Sequence, residues 1–393
     1  MRITANILHY NCEKLLYQTI DSVLMQDYED IELIIRDDHT PAGFDVEGIR
    51  AYIDAHKREN IKRVEVIRGE ENVGTVRNLE LMRELGQGDI EISIAGDDVW
   101  ADEHVFSDFA RVFREHPDVV WVISQVDMRD DELQKHEEYF VSERVKKLVQ
   151  SQNRDAIWNM VVQRCVLPSL GSAYRRAFFD AVGKLSDSYY LIEDYSSHLR
   201  ALRNGLVPYY FDRLTALHRG GGISHGNRRY FSRTQILYFL DSKRVFEREV
   251  QPYRDQISAE AFAVAQALYN YNAATFRNAT QGLFDLGIVK QEADLRHVSM
   301  EDIRKYGEKR YFGIRRSTIK RVVYTVLRIR VIAVFAVLTG IFVLALAHGW
   351  IAATTLSKTL CVLLGAGTIL AGVVKCALMA RMLVMQHKIR EKY

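Results

Sequence analysis

At 393 residues, with 48% hydrophobic and 26% charged, the chain has an ordinary globular make-up and room for a large domain plus an appendage. A formal net charge of +2 gives no case for nucleic acid as a partner, which would need a basic surface or stripe. The four cysteines, Cys12, Cys165, Cys361 and Cys376, are scattered without a CxxC pair and read as reduced small hydrophobes rather than a disulfide framework.

The first 130 residues alternate between strand and helix patterns. Ile3–Leu8 reads as a strand, and Leu15, Leu16, Ile20, Val23 and Leu24 share one helical face. Ile31–Arg36 is a second strand ending at Asp37-Asp38, followed by a helix over Val46–Lys57. Val64–Arg68, Val73–Leu85 and Ile90–Ala95 continue as strand, helix and strand, and a helix over about Glu103–Glu115 precedes a strand over Val119–Val126. Short connections between such units imply right-handed crossovers and a layered α/β sheet. The charged stretch Asp130–Gln150 reads as a surface helix or lid, and Glu193–Arg203 as a helix stopped by Asn204-Gly205. Val207–Phe211 and Ala216–His218 read as two short strands, and about 230–330 is helical and rich in Tyr, Phe, Arg and Lys.

Composition changes sharply after that. Val331–Ser357 contains no Asp, Glu, Lys or Arg, enough for a membrane helix of roughly 20 residues. Thr359–Val374 is a second uncharged run, which spans if Lys375 snorkels to the interface and is otherwise a re-entrant or interfacial segment. Arg315, Arg316, Lys320, Arg321, Arg328 and Arg330 precede the pair, Lys375, Arg381, Lys388, Arg390 and Lys392 flank or follow it, and only Lys358 lies between. That asymmetry predicts a hairpin over 329–386 with both ends cytoplasmic and a basic tail over 387–393. Residues 1–11 carry too short an apolar run for a signal peptide, so the bulk of the chain is expected on the cytoplasmic side of the inner (plasma) membrane.

Three acidic pairs stand out: Asp37-Asp38, Asp97-Asp98 and Glu193-Asp194. Two carboxylates delivered together by a strand are costly unless a cation or proton shares the site. Asp97-Asp98 offers hard oxygen ligands for Mg²⁺ or Mn²⁺; the same residues also suit a solvated turn in which Asp98 or Asp102 caps the next helix. Glu193-Asp194 suits a general base or simple helix-dipole complementarity. Gly74 permits close backbone approach, and Arg77 offers a planar fork for phosphate. The glycine-rich loop from Leu217 to Ser224 has neither GxGxxG nor GK[ST] spacing, so the familiar nucleotide motifs do not apply.

Taken in order, these motifs resemble family 2 glycosyltransferases of the GT-A fold over residues 1–225. The resemblance is carried by Tyr10-Asn11, Asp21-Ser22-Val23-Leu24 to Tyr28, Glu32-Leu33-Ile34-Ile35-Arg36-Asp37-Asp38, Asn72-x-Gly74-x-x-Arg77-Asn78 and Gly96-Asp97-Asp98-x-Trp100. Gly171-Ser172 with Arg175-Arg176, and Glu193-Asp194-Tyr195 with Leu199-Arg200, complete it. It implies a Rossmann-like mixed sheet flanked by helices over 1–229; the helical pattern after it is read as a separate region over 230–328, a candidate acceptor or membrane-proximal segment. The resemblance also implies that Tyr10 and Asp38 contact the nucleobase of a nucleotide-sugar donor and Arg77 the nucleotide, with Asn11 a further donor-binding residue. Gly171, Ser172 and Glu193 would complete donor binding. Asp97 and Asp98 would hold ribose and metal, and His218 is a candidate further ligand, with His225 its rival. Asp194 would be the base in an inverting transfer.

The chain departs from the family pattern in two places: Ala95 stands where many members carry a further carboxylate, and Leu8-His9 where Thr often precedes Tyr-Asn. With the membrane hairpin, the resemblance leads to an expected transfer of one sugar to a membrane-associated, lipid-linked acceptor in surface polysaccharide or glycolipid assembly. A processive synthase is disfavoured, because no QxxRW occurs and one hairpin is too little for an export channel. The alternatives are a non-catalytic GT-A-like nucleotide-binding scaffold and a soluble nucleotidylyltransferase. The second lacks a Gly-rich basic loop after the first strand.

Overall fold

The computed structural model describes residues 1–220 and 231–307, with a few positions between 337 and 348. Two compact units, Met1–Gly307 and Glu308–Tyr393, divide the chain. Among the described residues no helix is long and apolar enough to cross a membrane. Nearly all of the expected hairpin, and His225, lie outside the described residues.

The first unit runs β1 (Ile3–His9), α1 (Glu13–Leu24), β2 (Ile31–Asp37), α2 (Val46–His56), β3 (Ile61–Arg68), α3 (Gly74–Leu85) and β4 (Ile90–Ala95). There follow β5 (Val99–Trp100), α4 (Val105–Glu115), β6 (Trp121–Arg129), β7 (His136–Tyr139), α5 (Glu143–Gln150) and α6 (Arg154–Val161). It ends with β8 (Ser172–Arg175), α7 (Arg176–Val182), α8 (Asp194–Arg203), β9 (Tyr209–Arg219), α9 (Arg233–Val245) and α10 (Ala259–Asp285). One nine-stranded sheet has the order β3-β2-β1-β4-β8-β6-β9-β5, with β7 paired to β6. The β3-β2-β1-β4 half is parallel, and β8 joins antiparallel to both β4 and β6. This is the mixed α/β architecture that the resemblance implies.

Strand β2 is buried at every position and β1 at all but one, as central parallel strands covered on both faces must be. The register pairs His9 with Asp37 and Leu8 with Ala95. The C-terminal ends of β1, β2 and β4 therefore finish level, and both acidic pairs lie on one sheet edge, where ligands of such sheets collect. Phe106, Phe109 and Phe113 of α4 bury one face of that half. The other half packs Trp121, Trp158 and Phe178 with α5 to α8 and Phe246.

Two stretches differ from the sequence reading. The charged stretch 130–150 is not one helix: it turns at Leu133 (φ +59°), returns as β7, and becomes helical only where Ser142 accepts from the Val145 amide. The two short strands expected around 207–218 are one strand, β9, interrupted by register shifts against β6. Asp212 and Arg213 break its apolar alternation because Arg213 reaches out to Asp102 (2.6 Å) and Asp108 (2.8 Å). The end of α8 is as read: Gly205 adopts φ +85° and the Leu206 amide closes onto the Ala201 carbonyl (2.9 Å).

Candidate active site

At the end of β1 the chain turns sharply, with Asn11 at φ +55° and its amide donating to Thr40 Oγ1 (3.0 Å). This leaves Tyr10 exposed. His9 points inward instead, its Nδ1 2.9 Å from Asp37 Oδ1 and its ring 4.8 Å from that of Phe44. Thr40 donates to the same carboxylate from both amide and hydroxyl. Asp37 is thus a fully buried structural anchor.

Asp38 lies on the site side but is committed to backbone. Its two oxygens accept from the Val73 (2.9 Å) and Gly74 (2.8 Å) amides at the start of α3. Burial pushes its carboxyl up, and those amides and Arg36 hold it back only partly. An ionised carboxylate keeps further lone pairs after two such bonds, so contact with a nucleobase is compatible with this anchoring. Arg77 is half-exposed against Glu84 (2.8 Å) and Glu80 (3.5 Å).

Gly74 has φ +82°, and a Cβ there would sit 2.5 Å from the Tyr190 carbonyl oxygen and 2.7 Å from its ring. Gly74→Ala is expected to destabilise the fold by roughly 1–2 kcal/mol through the left-handed backbone alone. Displacing Tyr190 adds to that loss. Chemical denaturation of the purified variant measures the total.

The turn after β4 is tied down from both sides. The Gly96 amide donates to the Leu8 carbonyl (2.8 Å), and Thr19 Oγ1 donates to the Asp98 carbonyl (2.7 Å). The Asp98 side chain is buried; Oδ1 accepts from the Arg219 amide (2.8 Å) and Oδ2 lies 3.0 Å from His218 Nδ1. Arg219 also donates from Nε to the Asp97 carbonyl (2.7 Å) and from Nη2 to Gln18 Oε1 (2.7 Å). Asp97 is half-buried; burial and the adjacent Asp98 charge raise its carboxyl, while His218 and Arg219 offset part of this. Burial pulls the His218 imidazole down, but its bond to Asp98 and the charges of Asp98 and Asp97 prevail and raise it.

Among the described residues no three His, Cys, Asp or Glu side chains form a group able to hold a metal by themselves. Asp97, Asp98 and His218 therefore do not make a closed cage. The donor set does fit Mg²⁺ or Mn²⁺ in its usual mode, in which one or two carboxylates share the ion with substrate phosphates and water.

Gly171 and Ser172 are turned into the protein. Gly171 (φ +72°) accepts at its carbonyl from Ser124 Oγ (2.6 Å), and the buried Ser172 hydroxyl donates to the Pro168 carbonyl (2.7 Å). In this arrangement the pair shapes the loop, and its side-chain polar group is already used.

Glu193 and Asp194 sit at the start of α8, enclosed by protein yet partly open to solvent. Asp194 Oδ1 accepts from the Tyr195 amide (2.6 Å), and the Cys165 thiol donates to Oδ2 (3.4 Å). Burial raises the Asp194 carboxyl, and those two donors limit the rise. Glu193 is raised well above the usual carboxylate range by burial and then by the Asp194 charge.

Three contributors were missed in the sequence: Cys165 beside Asp194, Tyr190, and Asp241 of α9, whose Oδ2 accepts from the Tyr190 (2.7 Å), Leu191 (2.6 Å) and Ile192 (3.3 Å) amides. For Asp241 there was a signal, a carboxylate inside the buried stripe Ile236, Leu237, Leu240, Val245. Cys165 and Tyr190 carried none.

Comparison with known proteins adds to this geometry. Residues 5–177 match the model of Glycosyl transferase family 2. No curated protein matches the chain. The S. aureus TarS 1–349 structure in complex with UDP-GlcNAc aligns at 14% identity and a TM-score of 0.43, covering 79% of this chain and 82% of that one. The mannosyltransferase PcManGT from Pyrobaculum calidifontis, in complex with GDP-Man and Mn²⁺, aligns at 13% identity and 0.45, covering 95% and 87%. Over residues 5–177 the chain is thus similar to Glycosyl transferase family 2.

Proposed function

We propose that the protein is an inverting, metal-dependent glycosyltransferase that moves one sugar from a nucleoside diphosphate sugar to a membrane-associated, lipid-linked acceptor. The observation that carries this reading is a level sheet edge bearing Tyr10, Asp38 and Asp97-Asp98, with the Glu193-Asp194 pair held against α3 through Tyr190. Tyr10 and Asp38 receive the base, Asn11 lies beside them on the donor side, and Arg77 exchanges Glu84 for the nucleotide's phosphate. Asp97 and Asp98, with His218, would hold Mg²⁺ or Mn²⁺, which when bound offsets the charge of the departing nucleoside diphosphate. Asp194 takes the proton from the acceptor hydroxyl. The oxygen so released bonds to the anomeric carbon as the bond to the diphosphate oxygen breaks, and the configuration inverts. A carboxylate raised by burial suits this task, since its pKa lies closer to the working pH.

The test is release of nucleoside diphosphate from a panel of nucleotide sugars, beginning with UDP-GlcNAc and GDP-mannose, with and without Mn²⁺. Binding without any turnover, under all these conditions and with lipid-linked acceptors present, would favour the non-catalytic scaffold.

The membrane part of the reading, with the catalytic domain cytoplasmic, rests on the uncharged runs Val331–Ser357 and Thr359–Val374. Removing residues 331–393 is expected to shift the protein from the membrane to the soluble fraction on sedimentation. A truncated form that still sediments with membranes places the anchor elsewhere.

A further inference from the structure

The family match stops at residue 177, so the proposed base is supported by chain beyond it. Five consecutive residues ahead of Glu193 are each held, and most of the holders lie on or just after α9. Arg244 donates to the Ser188 carbonyl (3.2 Å) and Arg248 to the Ser188 hydroxyl (2.6 Å). The Tyr189 hydroxyl donates to Glu249 (2.8 Å), which also binds Arg200 and Arg203 of α8. Asp241 takes the next three amides on one oxygen. From the opposite side Tyr190 is fastened to the donor half: its hydroxyl donates to Asn72, its carbonyl accepts from the Val76 amide (3.2 Å), and Asn72 Nδ2 donates to the Asp38 carbonyl (3.0 Å).

Asp241 is fully buried, and its Oδ1 has no partner among the described residues. An apolar side chain in that stripe would avoid the cost of an unsatisfied buried carboxylate oxygen. What an apolar residue would not do is gather three amides in a row.

Building on the reading of Asp194 as the base, we propose that Asp241 is a positioning residue for the reaction. It fixes the segment Tyr190–Ile192 and thereby sets where Asp194 stands relative to the donor edge. The helical region after β9 is then a working part of the catalytic centre. A base displaced by about 1 Å loses on the order of 100-fold in rate while donor contacts elsewhere persist.

The experiment uses the full chain carrying Asp241→Asn, with Asp241→Ser as a second variant that fills less volume and keeps one acceptor. Hydrogen–deuterium exchange is followed at residues 190–192, together with kcat and KM for release of nucleoside diphosphate from the donor that the wild type turns over. Expected are faster exchange at these amides and a kcat lower by about 10- to 100-fold with donor KM within about twofold. A folded variant with faster exchange and wild-type kcat overturns the proposal, as does a loss confined to KM. Asp194→Asn is assayed alongside: if it retains turnover, the base assignment itself fails. If it is inactive while Asp241→Asn is fully active, only the positioning role is lost.

Discussion

Asp194→Asn is expected to reduce sugar transfer by roughly 10²–10⁴-fold while leaving nucleotide-sugar binding within about twofold. The amide is nearly isosteric and still accepts from the Tyr195 amide, so the start of α8 keeps its shape. What disappears is the capacity to take a proton. Because burial raises the Asp194 carboxyl, the wild-type rate is expected to fall on acidification from a higher pH than a free aspartate would give. The sign follows directly: the ionised form is the active one, and a raised pKa means it is lost sooner as pH drops. Initial rates across pH, with donor affinity measured separately, check both halves. Lost binding with normal turnover at saturation would contradict the base assignment.

Asp98→Ala is the second large effect. The side chain is buried and shared between the His218 ring and the Arg219 amide, so truncation removes the proposed metal ligand and also orphans a buried backbone donor. The orphaned amide alone is expected to cost about 1–3 kcal/mol of stability. Mn²⁺ affinity is expected to fall by roughly 100-fold or more, and turnover with it. Asp98→Asn separates the two losses, since its carbonyl oxygen can still accept from Arg219. It is expected to recover much of the stability and little of the metal binding. Thermal unfolding and Mn²⁺ titration of both variants give the comparison. Wild-type activity that is insensitive to EDTA would contradict the metal assignment.

The parallel half of the fold was legible because its signals are local. Apolar runs such as Ile31–Ile35 end at polar pairs, and helices of about 12 residues separate them. The parallel register of β1, β2 and β4 then places both aspartate pairs on one edge. Strand β9 was read as two pieces because Asp212 and Arg213 interrupt its alternation for the sake of ion pairs that become visible only in three dimensions. The partner of the Ser172 hydroxyl, the Pro168 carbonyl four residues away, is likewise one that spacing does not reveal. His9 shows the same limit: its bond to Asp37 depends on a pairing between strands 28 residues apart. The bonds of Asp241 to Tyr190–Ile192 were invisible for a similar reason, since they come from a separate helix about 50 residues downstream.

The central claim is that Asp97-Asp98 and Asp194 do separate work, donor and metal binding on one side and proton transfer on the other. Calorimetric titration of the donor nucleotide sugar, with and without Mn²⁺, into wild type, Asp98→Ala and Asp194→Asn tests it most directly. The expected result is Mn²⁺-dependent binding in wild type, nearly unchanged binding in Asp194→Asn, and its loss in Asp98→Ala. Binding that ignores Mn²⁺, or that survives in Asp98→Ala and fails in Asp194→Asn, would contradict the account.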